Sequence, residues 1–234
     1  MKKKQSKAIR IIAVILLIAG TVLVVVPLGF KTYFKVQADD NVEAFEAVAD
    51  SENFDRLRQA MIEYNENLYL SGQRTLVDQE SYETPDFNPA DYGAKSDILC
   101  YVSVPSKNIR LPVYNGASEE NMSKGAVYLA KTSLPVGGNN TNCVIAAHNI
   151  FYGVKMFYRI SELEPGDKIY ITNYWETLEY EVISKEIAER NESRRLFIQP
   201  DKELLTLSTC YRPTRQINQR YIVCAQRVTE QNGK

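Results

Sequence analysis

The stretch Leu204-Leu205-Thr206-Leu207-Ser208-Thr209-Cys210 is the most informative part of the sequence, because it is rich in β-favouring residues and ends on a cysteine. Such a run is typical of a strand, and a polar, proline-containing loop is predicted after it. A cysteine at a strand end is partly exposed, and Arg212, Arg215 and Arg220 make its surroundings electropositive. That setting activates a thiol as a nucleophile. From local context alone, an inert filler thiol is an equal alternative.

Runs of similar composition recur before and after this strand, separated by turn residues. Short helices are expected at Glu119–Lys124 and Val154–Leu163. Short strands at this spacing predict a mainly β protein, with one closed β-barrel over residues 98–228 and a polar tail at 229–234. The predicted strands are Ile98–Val104, Ile109–Tyr114, Cys143–Ala147, Lys168–Thr172, Thr177–Ser184, Leu204–Thr209 and Arg220–Val228.

The first thirty residues carry a membrane signal. A basic segment at 1–10 precedes an uncharged run from Ile11 to Phe30. Twenty residues of helix span about 30 Å, the thickness of a bilayer core. We therefore predict a single transmembrane anchor at 11–30, with the basic tail in the cytoplasm and the remainder of the chain outside. A signal peptide cleaved after Val36-Gln37-Ala38 is the alternative, but the apolar run is longer than such peptides usually carry.

Residues 31–97, between the anchor and the barrel, are expected to form an extracellular helix and a wrapping loop. Apolar residues recur at helical spacing from Asn41 to Leu70, and Asp39 or Asn41 can cap the start of this helix. From Ser71 to Asp97 the periodicity is lost, and glycines and prolines predict a long loop. Loops of this length are commonly functional or disordered, and we expect this one to cover part of the site.

Composition limits the possible functions. With a formal net charge of −1, the chain lacks the basic field that nucleic-acid binding requires. His148 is the single histidine, so a metal site built from several histidines is excluded. Of the four cysteines, Cys100, Cys143 and Cys224 lie in apolar, strand-like runs. This context favours buried free thiols, and two disulfides are the alternative outside the membrane.

His148 and Arg220 each lie at the end of a predicted strand, as Cys210 does. Histidine is the side chain best suited to acid–base work near neutral pH, and an arginine can hold the oxyanion of an acyl transfer. Such chemistry needs a nucleophile, a proton shuttle and an oxyanion stabiliser at one point, and strand ends can meet at one rim of a barrel. Taken singly, a lone histidine is more often structural and a lone arginine more often solvated.

The stretch Thr206-Leu207-Ser208-Thr209-Cys210 resembles the sortase signature, Thr-Leu-x-Thr-Cys. In that family a histidine closes an apolar strand about sixty residues before the cysteine and an arginine begins the following strand, as His148 and Arg220 do. The segments Leu111–Glu120 and Thr132–Gly138 are similar to class C, pilin-polymerising sortases. His148-Asn149 and the Leu-Ser-Thr-Cys run are instead similar to class B.

The resemblance implies a sortase-type β-barrel that acts as a cysteine transpeptidase on an LPXTG-like sorting signal of a secreted surface protein or pilin. Cys210 would attack the Thr–Gly carbonyl, His148 would move the proton, and Arg220 would hold the oxyanion. Thr209 would line the substrate groove. The acyl group would pass from a thioester to an amine, either a pilin lysine or a cell-wall precursor. This chemistry needs no cofactor and no metal.

Class C sortases also carry an Asp-Pro-aromatic lid motif in the loop before the barrel. Here Asp78-Gln79-Glu80 lacks both the proline and the aromatic residue, and Pro85-Asp86-Phe87 is a displaced substitute. The resemblance therefore makes Asp78, Asp86 and Phe87 the candidate lid residues.

Two other functions fit part of the pattern. An L,D-transpeptidase-like peptidoglycan enzyme also places its histidine before its cysteine, but the His-Gly that precedes its cysteine is missing before Cys210. A membrane-anchored β-barrel adhesin or assembly factor with an inert thiol would need no catalytic group. Reactivity of Cys210 toward a thiol reagent at neutral pH separates an enzyme from an adhesin.

Overall fold

The computed structural model describes residues 2–49, 54–74, 76, 80–189, 192, 194–211 and 219–229. Two long helices precede the barrel: α1 runs from Lys2 to Ala49 and α2 from Asp55 to Ser71. The segment from Ile11 to Phe30 within α1 is exposed along its whole length. In length and composition α1 is able to cross a membrane, and we identify its apolar part as a candidate anchor.

The predicted helix from Asn41 to Leu70 is wrong in its bounds. Asn41 does not cap a helix but lies inside α1, because the chain from Lys31 to Ala49 contains no proline or glycine that would end the helix leaving the apolar segment. The Asn41 amide instead donates to the hydroxyl oxygen of Tyr114 at 2.8 Å. The second helix ends at Gly72, whose φ of +68° supplies the left-handed turn of a helix C-cap.

The prediction of a mainly β protein with one closed barrel is confirmed. Around the barrel the strand order is first, second, third, fourth, ninth, tenth, eighth and seventh, and the seventh strand pairs with the first to close it. The fifth and sixth strands form a separate hairpin. The strands are β1 (Ile98–Val104), β2 (Ile109–Asn115), β3 (Ala126–Tyr128), β4 (Thr141–Ala146), β5 (Ile150–Phe151), β6 (Val154–Lys155), β7 (Lys168–Thr172), β8 (Thr177–Glu189), β9 (Glu203–Tyr211) and β10 (Gln219–Arg227), with α3 (Glu119–Lys124) between β2 and β3.

Residues Val154–Leu163 do not form the helix that we predicted. The segment begins as β6 and then makes a short 3₁₀ turn at Ile160–Glu162. Its three fully buried apolar residues, Phe157, Ile160 and Leu163, are spaced by three. That spacing fits the i to i+3 hydrogen bonds that join them, and it is shorter than the period of an α-helix.

The loop before the barrel contains two 3₁₀ turns, Glu80–Tyr82 and Pro89–Tyr92, where we expected irregular chain throughout. It is attached to the barrel by backbone contacts. The Asn115 side chain donates to the Phe87 carbonyl at 2.7 Å, and Ala117 and Ala130 donate their N–H groups to the Tyr82 carbonyl at 3.1 and 3.2 Å. These contacts attach the loop to the barrel at Asn115, Ala117 and Ala130.

Helices α1 and α2 pack on the outside of the barrel through an aromatic cluster. The ring of Tyr174, in the turn between β7 and β8, lies 4.3 Å from the ring centroids of both Phe45 on α1 and Phe54 just before α2. The Tyr174 hydroxyl donates to the Ile98 carbonyl at 2.7 Å, which joins the cluster to β1. Burial of these large rings fixes the direction in which α1 leaves the barrel.

Candidate active site

Three neighbouring strands bring His148, Cys210 and Arg220 into one row. Cys210 on β9 is the direct cross-strand partner of Arg220 on β10. On the other side β9 runs parallel to β4, with Ala146 paired to Ser208. Continuing that register by two residues places His148 beside Cys210. Since side chains alternate between the two faces of a strand, the three side chains emerge on the same, outer face of the barrel.

A short contact in the site joins the guanidinium of Arg220 to the sulfur of Cys210. Arg220 Nη1 donates to Cys210 Sγ at 2.7 Å, and both residues are half-buried. An arginine is cationic at any physiological pH and presents several donors in a fixed plane. The sulfur therefore has a permanent positive charge beside it, and the same guanidinium can serve an oxygen that lies next to the sulfur.

His148 is held by the hairpin that follows it. Its ring stacks on the ring of Phe151, with 4.9 Å between centroids and 7° between planes. Its carbonyl accepts the N–H of Phe157 at 2.9 Å. The next residue, Asn149, donates from its side chain to the Cys210 carbonyl at 3.4 Å. These contacts fix the histidine backbone against β9 and limit the movement of the imidazole.

A cavity of about 620 Å³ contains all three side chains. Its floor is the outer face of β4, β9 and β10, and its walls come from α3, from the loop before the barrel and from the β5–β6 hairpin. Described residues that line it besides the three are Tyr82, Glu83, Ala117, Glu119, Met122, Leu129, Ala146, Ala147, Phe151, Tyr152, Glu192, Leu196, Ser208 and Ile222. A pocket of this size, mostly apolar with a few polar groups, fits a short peptide segment.

Thr209 does not line this cavity, although we expected it to line the substrate groove. It alternates with Cys210 along β9 and therefore points to the barrel interior, where it is 3% exposed. Its hydroxyl donates to the Ala147 carbonyl at 2.9 Å. The residue joins β9 to the chain that leads into His148, which is a positioning role.

Two of the candidate lid residues, Asp86 and Phe87, lie away from Cys210. Asp78 falls outside the described residues. The Asp86 carboxylate forms an ion pair with Lys131, and Phe87 is buried between Tyr64 and Tyr92, with ring centroids 5.8 and 5.2 Å away. Neither Asp86 nor Phe87 lines the cavity.

A different part of the same loop reaches the cavity, at Tyr82 and Glu83. The sequence contains no motif at these two positions that would have marked them. Arg212 and Arg215, which we expected to add positive charge near the thiol, fall outside the described residues.

Cys100, Cys143 and Cys224 are buried free thiols, in agreement with the favoured interpretation of their context. Burial in apolar surroundings raises the pKa of each of them above its ordinary value. Cys210 differs, since it is half-buried and opens to the cavity. Among the residues that the structure describes, no group of three or more histidine, cysteine, aspartate or glutamate side chains is arranged to hold a metal ion.

Comparison with known proteins finds relatives of the chain as a whole. The model of the sortase domain matches residues 102–228. Sortase D of Bacillus subtilis is 27% identical over 176 residues, which cover 74% of this chain and 83% of that protein. Sortase C of Clostridium perfringens, solved with the C-terminal cell wall sorting motif, has a TM-score of 0.70 at 31% identity, covering 82% of this chain and 100% of that one.

A third relative is the pilus-related sortase C of Group B Streptococcus, with a TM-score of 0.65 at 29% identity over 81% of this chain and 97% of that one. The solved structures that match are mainly class C sortases. The family model covers more than half of the chain, and neither the L,D-transpeptidase nor the adhesin alternative accounts for that match. This chain therefore belongs to the sortase family of transpeptidases.

Proposed function

We propose that this protein is a membrane-anchored sortase that cleaves an LPXTG-like sorting signal between threonine and glycine, through a thioester on Cys210. The observation that carries the proposal is the contact between Arg220 Nη1 and Cys210 Sγ at 2.7 Å, in a row that continues to His148. A nucleophile, a cation for the oxyanion and a proton carrier are then side by side on one face of the sheet.

In the first half-reaction the Cys210 thiol gives its proton to His148, and the sulfur attacks the threonine carbonyl carbon. The carbonyl electron pair moves to oxygen, and the Arg220 guanidinium holds that oxyanion. When the oxyanion collapses, the C–N bond to glycine breaks and His148 donates the proton that the leaving amine needs. In the second half-reaction an amine attacks the thioester, His148 accepts its proton, and the C–S bond breaks to regenerate Cys210.

The acceptor is an amine, and the class C relatives favour the side-chain amine of a pilin lysine. One of them is described as pilus-related, and another was solved with a cell wall sorting motif. The alternative acceptor is the amine of a cell-wall precursor. Asn149, which follows the histidine as in class B sortases, keeps this alternative open. Both acceptors use the same thioester, so the donor half of the reaction is common to them.

The proposed topology follows from α1. Its apolar part, Ile11 to Phe30, would cross the membrane once, and the basic residues before it would remain in the cytoplasm. The barrel would then lie outside the cell, where secreted substrates are available.

The test uses the full chain in detergent micelles or vesicles with a fluorogenic LPXTG-type peptide. We expect cleavage by the wild type, and loss of cleavage in Cys210→Ala, His148→Ala and Arg220→Ala. Cys224→Ala is the matched control, because it removes a buried thiol from the neighbouring strand β10. Mass spectrometry should find the peptide as a thioester on Cys210 in the wild type and none in Cys210→Ala. Turnover that persists in Cys210→Ala, or a wild type that forms no thioester, would contradict the proposal.

A second arm identifies the acceptor. Thioester formed on the wild type is offered a lysine-containing peptide or an amine from a cell-wall stem peptide. Transfer to the lysine side chain supports pilus polymerisation, and transfer only to the stem-peptide amine supports anchoring to the wall.

A further inference from the structure

The hairpin that follows His148 carries an exposed aromatic tip that the chemistry does not use. It consists of β5, a two-residue turn at Tyr152-Gly153, and β6. Tyr152 is 70% exposed and Ile150 is 49% exposed. The tip is close to the catalytic row: ring contacts of 4.9 and 4.7 Å lead from His148 to Phe151 and from Phe151 to Tyr152. Any surface that engages this tip therefore lies beside the mouth of the cavity.

The hairpin also contacts α1 at the end of its apolar run. The ring of Tyr152 lies 6.2 Å from that of Phe30 and 6.4 Å from that of Phe34. The ring of Phe34 lies 5.5 Å from that of Phe151. Phe30 is the last residue of the uncharged segment, so the hairpin tip is level with the point where that segment ends.

The residues around the tip have the composition of a membrane interface. Tyrosines and lysines alternate there, and one lysine, Lys155, places its ammonium 4.7 Å from the ring centroid of Tyr158. Tyrosine rings favour the headgroup level of a bilayer, and lysines extend from it toward the headgroups. We define the hairpin surface by its exposed tyrosines, lysines and isoleucine: on α1, flanking Phe30 and Phe34, these are Lys31, Tyr33 and Lys35, and on and after the hairpin they are Ile150, Tyr152, Lys155 and Tyr158.

The turn of the hairpin has an unusual residue, a tyrosine, at its first position. Tyr152 has φ +44° and Gly153 has φ +82°, the pair of positive values found in a type I′ turn. Asparagine followed by glycine is the common choice for that turn. A residue with a bulky side chain is disfavoured in the left-handed region. The Tyr152 ring contacts Phe30, Phe34 and Phe151, yet most of its surface stays open to the surroundings of the protein.

We propose that the hairpin surface contacts the lipid bilayer, so that the His148 side of the cavity is held at the membrane. This inference rests on the proposed anchor, because the apolar run of α1 fixes which plane is the membrane surface. The occupant is the boundary between headgroups and acyl chains, since the exposed tyrosines, isoleucine and lysines match both parts of it. Sorting signals would then be cleaved close to the bilayer.

The test measures lipid contact in the full chain reconstituted into vesicles of phosphatidylcholine and phosphatidylglycerol that carry brominated acyl chains. Bromine quenches tryptophan fluorescence only at contact distance. The chain has one tryptophan, Trp175, next to Tyr174 and therefore level with Phe45 on α1. Phe45 is fifteen residues beyond Phe30, or about 22 Å along the helix, so Trp175 is a native control outside the membrane.

Two variants in a Trp175→Phe background report on the membrane and on the tip: Leu23→Trp in the apolar run and Tyr152→Trp in the hairpin. We expect strong quenching at position 23, intermediate quenching at position 152 and almost none at Trp175 in the wild type. Ile150→Trp is a second probe of the hairpin surface, at a position without backbone strain.

Quenching at position 23 together with a hairpin probe no more quenched than Trp175 would overturn the lipid contact and leave the anchor standing. No quenching at position 23 would overturn the anchor and this inference with it. Neither result depends on turnover, so failure here is separate from failure of the proposed transpeptidation.

Discussion

The hydroxyl of Thr209 donates to the Ala147 carbonyl at 2.9 Å, which joins the strand that carries the cysteine to the chain that leads into the histidine. Replacing Thr209 with valine keeps the shape and removes the donor, which leaves the carbonyl buried and unsatisfied. We expect Thr209→Val to lower the free energy of unfolding by about 1–3 kcal/mol. Peptide turnover should also fall, because the register of His148 beside Cys210 loses its support.

Thr209→Ser is the matched control, since it keeps the hydroxyl. It should retain most of the turnover, and thermal unfolding in detergent should place its Tm above that of the valine variant. Equal losses in the two variants would show that side-chain packing, and not the hydrogen bond, is the function of this position.

The guanidinium of Arg220 should be hard to replace even by another cation. We expect Arg220→Ala to lower kcat for peptide cleavage on the order of 10²–10³-fold, as the loss of an oxyanion donor does in other acyl-transfer enzymes. Arg220→Lys should restore only part of the rate, because an ammonium lacks the planar set of donors. Arg227→Lys, on the same strand but paired with Glu203 at 3.2 Å, should stay close to wild type. A fully active Arg220→Lys would indicate that charge alone is sufficient.

The four cysteines should differ sharply in reactivity. Burial raises the pKa of Cys100, Cys143 and Cys224, so these thiols stay protonated at a pH where an ordinary cysteine, with a pKa of about 8.5, ionises. Only a thiolate reacts with iodoacetamide. Between about pH 7 and pH 9 the native protein should take up one adduct, Cys210→Ala none, and the unfolded wild type four.

The same burial has a consequence for stability. A pKa that is higher in the folded state than in the unfolded state contributes stability that is complete below the unfolded value and is lost as pH rises above it. Tm should therefore decline above about pH 8.5, where unfolded cysteines ionise. Cys100→Ala should reduce that decline, and an unchanged slope would mean that other groups cause it.

The loop that lines the cavity should respond to a single methyl group at Gly116. This glycine has φ +85°, and an added Cβ would lie 2.8 Å from both the Glu83 carbonyl oxygen and Pro85 Cδ. Gly116→Ala should displace the loop, lower the free energy of unfolding by about 1–3 kcal/mol, and speed alkylation of Cys210. Gly93→Ala has comparable backbone strain at φ +99° without the steric contact, so it should leave the alkylation rate unchanged. Equal alkylation rates in the two variants would count against a covering role for this loop.

The barrel and the row formed by His148, Cys210 and Arg220 could be predicted in part from sequence. The run that ends at Cys210 has the composition of a strand, and the strand formed as β9. The alternation of side chains along a strand also predicts that Thr209 faces away from Cys210, so our expectation that both line the groove was wrong. The pairing of β4 with β9 could not be read from the chain, because it joins segments about sixty residues apart and depends on how the whole barrel closes.

Predictions from local sequence patterns were wrong for two helices, because the same composition also fits another structure. Apolar residues from Val154 to Leu163 fit one face of a helix, but the segment begins as strand β6 and continues into a 3₁₀ turn at Ile160–Glu162. The start of the helix at Asn41 was assigned from a capping residue. Capping residues mark a helix start only when the preceding chain is not already helical, and here α1 continues through it.

Because α1 is one continuous helix, the number of residues between its apolar segment and the barrel sets two quantities together: the distance of the barrel from that segment and the rotation of the barrel about the helix axis. Phe34, Ala38, Val42 and Phe45 form one stripe that packs on the barrel, and no loop separates them from the apolar segment. One residue inserted before Phe34 would raise the barrel by about 1.5 Å but rotate it by about 100°. Seven residues would raise it by about 10 Å and return it to within about 20° of its original direction. We therefore expect the orientation of the barrel to be kept only when the part of α1 before Phe34 changes in length by about seven residues, or two helical turns.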